Sequence, residues 1–146
     1  QIEISQLKWK LPNCQIIHDP SPNDSPMQGS EEEAFASIRK VLENPDTAGP
    51  ISISYGGLKI LPPEVGQLTN LRELWLESNL ISSLPSEIGQ LVNLEQLGLN
   101  GNRLTYLPPE IGQLSNLKKL HLSNNGLIYL PPEIGQLSML RFLCLL

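Results

Sequence analysis

A spacing of 23 residues runs through the second part of the chain. Leu71, Leu94, Leu117 and Leu140 keep it, as do Leu74, Leu97, Leu120 and Leu143, and Leu76, Leu99, Leu122 and Leu145. Asn79, Asn102 and Asn125 follow in step. Leu84-Pro85, Leu107-Pro108 and Leu130-Pro131 come next, then Ile88, Ile111 and Ile134, each followed by Gly-Gln, and then Leu91, Leu114 and Leu137. A period of this length makes each unit one supersecondary element that buries its apolar face only against its neighbours. An earlier, degenerate unit keeps the register through Ile51, Ile53, Leu58, Leu61-Pro62 and Val65-Gly66-Gln67, with Gly56 at the asparagine position. The chain therefore holds four units and a fifth cut off after its strand.

The physics of one unit follows from its residues. Alternation in LxxLxL points leucines to one side of a short strand. Strands of successive units stack side by side as a parallel sheet. The asparagine sits where the chain turns out of that sheet, and its amide can serve backbone groups of adjacent turns. Proline then stops the strand. The Pro-Glu-Ile stretch is too short for a long helix and predicts a helical turn on the convex side. Glu64, Glu87, Glu110 and Glu133 fall near the positive end of these turns. That column is read as helix-end chemistry and not as a catalytic carboxylate set. The expected fold class is α/β, a curved parallel sheet backed by short helical turns.

Composition narrows the function classes. There are 28 leucines, 25 of them from Leu58 onward, and aromatics are only 5%. No apolar run reaches the ~18 residues that span a membrane. Two cysteines, Cys14 and Cys144, cannot form a disulfide-rich scaffold or a four-ligand zinc site. The net charge of −5 argues against a nucleic-acid binder, which carries a basic stripe. The acidity is concentrated early. Residues 1–57 hold four Lys/Arg against eight Asp/Glu, and residues 58–146 hold six against seven. The chain opens on Gln1 without a basic n-region or a signal-type apolar run, which predicts a processed or trimmed start.

The pattern LxxLxLxxNxLxxLPxxIGQLxx over residues 48–146 resembles the leucine-rich repeat, in the 23-residue form found in bacterial and Ras-related intracellular proteins. The resemblance implies a curved solenoid acting as a non-enzymatic protein-interaction module without a cofactor. The competing expectation is a regulatory segment of a larger GTPase or ubiquitin-ligase effector. Extracellular members usually close their ends with paired cysteines, so the resemblance favours the cytoplasm, or a secreted effector acting inside a host cell.

A repeat stack exposes its core at both ends and needs caps. Residues 30–47 supply the first. Ser30 and Glu33 have the spacing of a capping box. Ala34, Phe35, Ile38, Val41 and Leu42 keep helical spacing, and Asn44-Pro45 ends the helix. Residues 1–29 are read as an arm followed by a linker. Residues 18–29, rich in Pro, Ser, Asn and Asp, read as the linker, with turn-forming Ser-Pro pairs. Residues 1–17 fit both strand alternation and a helix face. The strand reading is preferred, and its apolar side chains imply that the arm docks on something. At the far end, the layer of Leu140, Leu143 and Leu145 has no convex segment after it. The sequence therefore predicts an open, uncapped C-terminal edge, completed by a longer native chain or by self-association.

No phosphate-binding loop, GxSxG, HExxH or CxxC occurs. His18 and His121 are isolated in sequence and lack the companions that a metal site requires. A Cys144–His121 pair on adjacent strands lacks a group to orient the histidine. The concave face is the serious candidate. Its expected outward columns include Glu73, Gln96, Lys119 and Phe142, then Trp75, Gly98, His121 and Cys144, then Glu77 and Asn100. The predicted contact set for a protein or peptide partner is Glu73, Trp75, Glu77, Gln96, Asn100, Lys119 and His121. Trp75, a large aromatic among polar neighbours, is its expected centre.

Overall fold

The computed structural model describes Ile2–Glu3, Gln15–Ile17 and residues 30–145. The expected linker at residues 18–29 and Cys14 lie outside the described residues. Strands β1 (Ile2–Glu3) and β2 (Gln15–Ile17) come first, followed by helix α1 (Glu31–Leu42). The repeats then contribute β3 (Ile51–Ser52), β4 (Glu73–Trp75), β5 (Gln96–Gly98), β6 (Lys119–His121), β7 (Tyr129–Leu130) and β8 (Phe142–Cys144). Convex 3-10 turns at Pro63–Gln67, Ser86–Gln90, Pro109–Gln113 and Pro132–Gln136 separate the repeat strands.

The repeat strands form a parallel sheet in strict register. Leu74 pairs with Leu97, Leu97 with Leu120, and Leu120 with Leu143. Each of these leucines is at most 1% exposed. The leucines form stacked layers of one continuous core rather than a single pooled cluster. Tight packing between turns explains the glycine of the Ile-Gly-Gln element. A Cβ on Gly112 would lie 2.5 Å from the carbonyl oxygen of Glu133, one turn on, and Gly89 and Gly66 are equally crowded.

Asn79, Asn102 and Asn125 form the expected ladder. Asn79 Oδ1 accepts from the N–H groups of Gly56 and Leu58, both at 3.0 Å. Its Nδ2 donates to the carbonyls of Ile53 and Leu76. Asn102 repeats this between Ile81, Leu76 and Leu99. The amides thus satisfy buried backbone groups that a turning chain would otherwise orphan. Just before each ladder asparagine the backbone reverses, with positive φ at Ser78, Gly101 and Asn124, and Tyr55 does the same before Gly56 in the first unit. A second ladder was not foreseen. Asn93 donates to Thr69 O at 2.9 Å and Asn116 to Val92 O at 2.8 Å.

Helix α1 closes the first end. Ser30 Oγ accepts from Glu33 N, and Glu33 Oε2 accepts from Ser30 N, so the capping box is complete. Ala34 and Ile38 are buried, and Phe35, Val41 and Leu42 pack beside them on the core. The helix also accounts for Gly56 at an asparagine position. A Cβ there would stand 3.1 Å from Ala34 Cβ, so the cap seats closely on the first unit.

The opposite end corrects the sequence expectation. The edge of β8 is not open, because β2 pairs with it in parallel, placing Gln15, Ile16 and Ile17 beside Phe142, Leu143 and Cys144. Strand β1 adds antiparallel pairing, Ile2 with Leu130 and Glu3 with Tyr129. The sheet order is therefore β2-β8-β6-β5-β4-β3. Backbone groups on the outer edge of β8 find partners in the arm. Leu140, Leu143 and Leu145 are at most 3% exposed.

Candidate functional site

The parallel register aligns the concave side chains in columns. Glu73 lies beside Gln96, Gln96 beside Lys119, and Lys119 beside Phe142. In the next column Trp75 lies beside Gly98, Gly98 beside His121, and His121 beside Cys144. Glu73, Trp75, Glu77, Gln96, Lys119 and His121 are half-buried, and Phe142 is exposed.

Trp75 is organised by what it lies on. Gly98 leaves a gap one strand away, and a Cβ there would overlap Trp75 Cε3. The indole fills that gap and reaches His121 on the strand beyond. The two ring centroids are 5.7 Å apart and the planes tilt by 55°, within the range of favourable aromatic pairing. Trp75 Nε1 donates to Glu73 Oε2 at 3.2 Å, which fixes the ring in its plane. Glu77 approaches the same gap, since its Oε1 would lie 3.3 Å from a Gly98 Cβ. Further along, Lys119 Nζ stands 5.9 Å from the Phe142 ring centroid. The face is therefore an aromatic strip with carboxylates at its β4 end and an ammonium at its β6 end.

Two expectations about this face change. Asn100 is 7% exposed, and its Oδ1 accepts from Ser123 N at 2.9 Å. It joins adjacent turns and is not an outward contact. Cys144, expected on the outward column, is 1% exposed. The remaining predicted residues, Glu73, Trp75, Glu77, Gln96, Lys119 and His121, share one surface across β4–β6.

A charge cluster missed in the sequence reading lies at the entry to the strands. Glu95 accepts from Lys118 Nζ at 2.6 Å and from Arg72 at 2.8 Å. These residues are one repeat apart, so the 23-residue spacing alone identifies them as neighbours. The hydrogen bond from Lys118 holds the Glu95 carboxyl below its ordinary range, against the opposing effect of burial, and both cations add to the lowering. The glutamate column falls where the sequence places it: Glu64, Glu87, Glu110 and Glu133 each lie in the first turn of a convex 3-10 segment, at its positive end. Among the described residues, no three of His, Cys, Asp and Glu come together as metal ligands. None of the described helices is long and apolar enough to cross a membrane.

The leucine-rich repeat region model matches residues 58–146, which carry the columns and ladders described above. The chain belongs to the leucine-rich repeat family. A leucine-rich repeat protein of Leptospira interrogans is similar, at 43% identity and a TM-score of 0.55, over 75% of this chain and 34% of that one. The BIR3–SERK2 complex from Arabidopsis thaliana contains a chain at 31% identity and a TM-score of 0.57, over 65% of this chain and 53% of that one. This leucine-rich repeat chain thus spans about a third of the Leptospira protein and about half of the Arabidopsis one. No curated protein matches it significantly. Leucine-rich repeat domains are generally protein-interaction scaffolds without an enzymatic role.

Proposed function

We propose that this leucine-rich repeat is a non-catalytic binding module that holds a protein or peptide partner on its concave face, centred on Trp75. The observation that carries the reading is the Trp75 indole, laid over Gly98 and held by Glu73 and His121. A large aromatic fixed before binding loses little conformational freedom on contact, which is the character of an interface hot spot. The flanking Glu73, Glu77, Gln96 and Lys119 supply mixed charge around it, suited to a polypeptide surface rather than a polyanion. A similar repeat chain is seen in a protein–protein complex, BIR3 with SERK2.

Affinity capture with the full chain and with a Trp75→Ala/His121→Ala variant tests this. The expected result is a partner retained by the natural chain and lost by a folded variant. Equal retention by both would remove the concave face from the reading.

A further inference from the structure

Where the chain leaves the sheet and descends toward the convex turns, the stack carries a recess that the concave site does not use. Tyr106 and Tyr129 occupy equivalent positions one repeat apart, and they are 53% and 44% exposed. With Pro109, Pro131 and Pro132 they wall a cavity of about 340 Å³ whose lining includes Glu133. Ile60 and Ser83 stand at this position in the earlier units, so the paired phenols belong to the third and fourth repeats. Backbone pairing of Tyr129 with Glu3 in β1 leaves the Tyr129 ring exposed.

Glu133 supplies an independent observation. Its Oε2 is buried and accepts no hydrogen bond. Among the described residues it is the only carboxylate oxygen in that state, and no ion pair reaches it. A desolvated carboxylate oxygen without a donor is unfavourable until a charged or hydrogen-bonding group meets it. The surrounding walls are tyrosine rings and proline rings, which suit a methylene stem and a flat cation.

We propose that this cavity takes the side chain of an arginine presented by a protein partner. Its guanidinium pairs with the Glu133 carboxylate in the cavity wall, and its stem lies along Tyr106 and Tyr129. Arginine fits better than lysine because its planar head stacks on aromatic faces while still donating to a carboxylate, and it is the more weakly hydrated cation. The recess borders β7, outside the concave sheet, so it is a second contact point whose test is separate from that of Trp75.

The full chain is titrated with Nα-acetyl-L-arginine methylamide while the ring resonances of the tyrosines are followed by NMR. The citrulline analogue serves as a neutral shape control and the lysine analogue as a cation control. Arginine is expected to give saturable shifts at Tyr106 and Tyr129 and none at Tyr55, with a Kd on the order of millimolar. Citrulline and lysine should each bind more weakly. Glu133→Gln, nearly isosteric, should weaken arginine about tenfold. Tyr106→Ser, which installs the residue found at position 83, should weaken it as well. No saturable shift, equal binding of citrulline or lysine, or unchanged affinity in folded E133Q and Y106S would each overturn the assignment.

Discussion

The indole of Trp75 crosses the backbone of Gly98 and meets the imidazole of His121 at 5.7 Å. One small residue thereby sets the posture of the largest side chain on the concave face. Gly98→Ala should displace the ring, because a Cβ there overlaps Trp75 Cε3. The expected cost is about 1–3 kcal/mol from overpacking. Tryptophan fluorescence in a Trp9→Phe background should change, and the thermal midpoint should fall. A spectrum and midpoint identical to the parent would mean that the ring does not depend on Gly98.

Much of this was legible in the sequence, for a physical reason. A fixed period turns distant positions into lateral neighbours, so the columns Glu73-Gln96-Lys119 and Trp75-Gly98-His121 follow from counting. The capping box at Ser30 and Glu33 is equally local. Three features were not legible. Trp75 could be placed on the face, but its lean across Gly98 depends on side-chain packing. Asn100 looked outward by register, yet a hydrogen bond to the next turn draws it in. The pairing of β2 with β8 joins residues from opposite ends of the chain, and no periodicity reports such a contact.

The asparagine ladder makes a sharper stability prediction than any single leucine. Asn102→Ala would orphan the buried Ile81 N–H, while the Leu76 and Leu99 carbonyls each lose one bond and keep those from Asn79 and Asn125. One unsatisfied buried group costs about 1–3 kcal/mol, so with the two lost bonds the total should be roughly 2–4 kcal/mol. Asn93→Ala, which removes one exposed bond, should cost only about 1 kcal/mol. Urea unfolding of the two variants compares them directly, and equal losses would contradict the ladder's role.

Glu95 predicts part of the acid response. Its carboxyl is held below the ordinary glutamate value of 4.5 by Lys118 and Arg72. A group with a lowered folded pKa contributes stability above its unfolded pKa and loses it as pH falls through the folded value. The contribution should therefore be full near neutrality and fade below about 4.5. Glu95→Gln should flatten that part of the stability–pH curve. High salt should shrink the difference between variant and parent, because the cluster is open to solvent. A variant curve parallel to the parent across this window would show that the cluster contributes nothing.

Closure of the far end can be locked chemically. Ile17 and Cys144 are register partners on adjacent parallel strands. Their expected separation of about 4.8 Å falls within the Cα range of disulfides. Ile17→Cys in a Cys14→Ser background should cross-link within one chain on mild oxidation. Non-reducing electrophoresis should show a faster monomer. A covalent dimer would instead mean that arms pair between copies, and no cross-link would remove the β2–β8 pairing.

The central claim is that a partner is held at Trp75 on the concave face. Calorimetric titration of the captured partner against the full chain and its Trp75→Ala variant tests it most directly. A hot-spot side chain contributes about 2 kcal/mol or more, so binding should weaken roughly 30-fold. Glu87→Gln on the convex side should bind as the parent does. Unchanged affinity in folded Trp75→Ala would contradict the account.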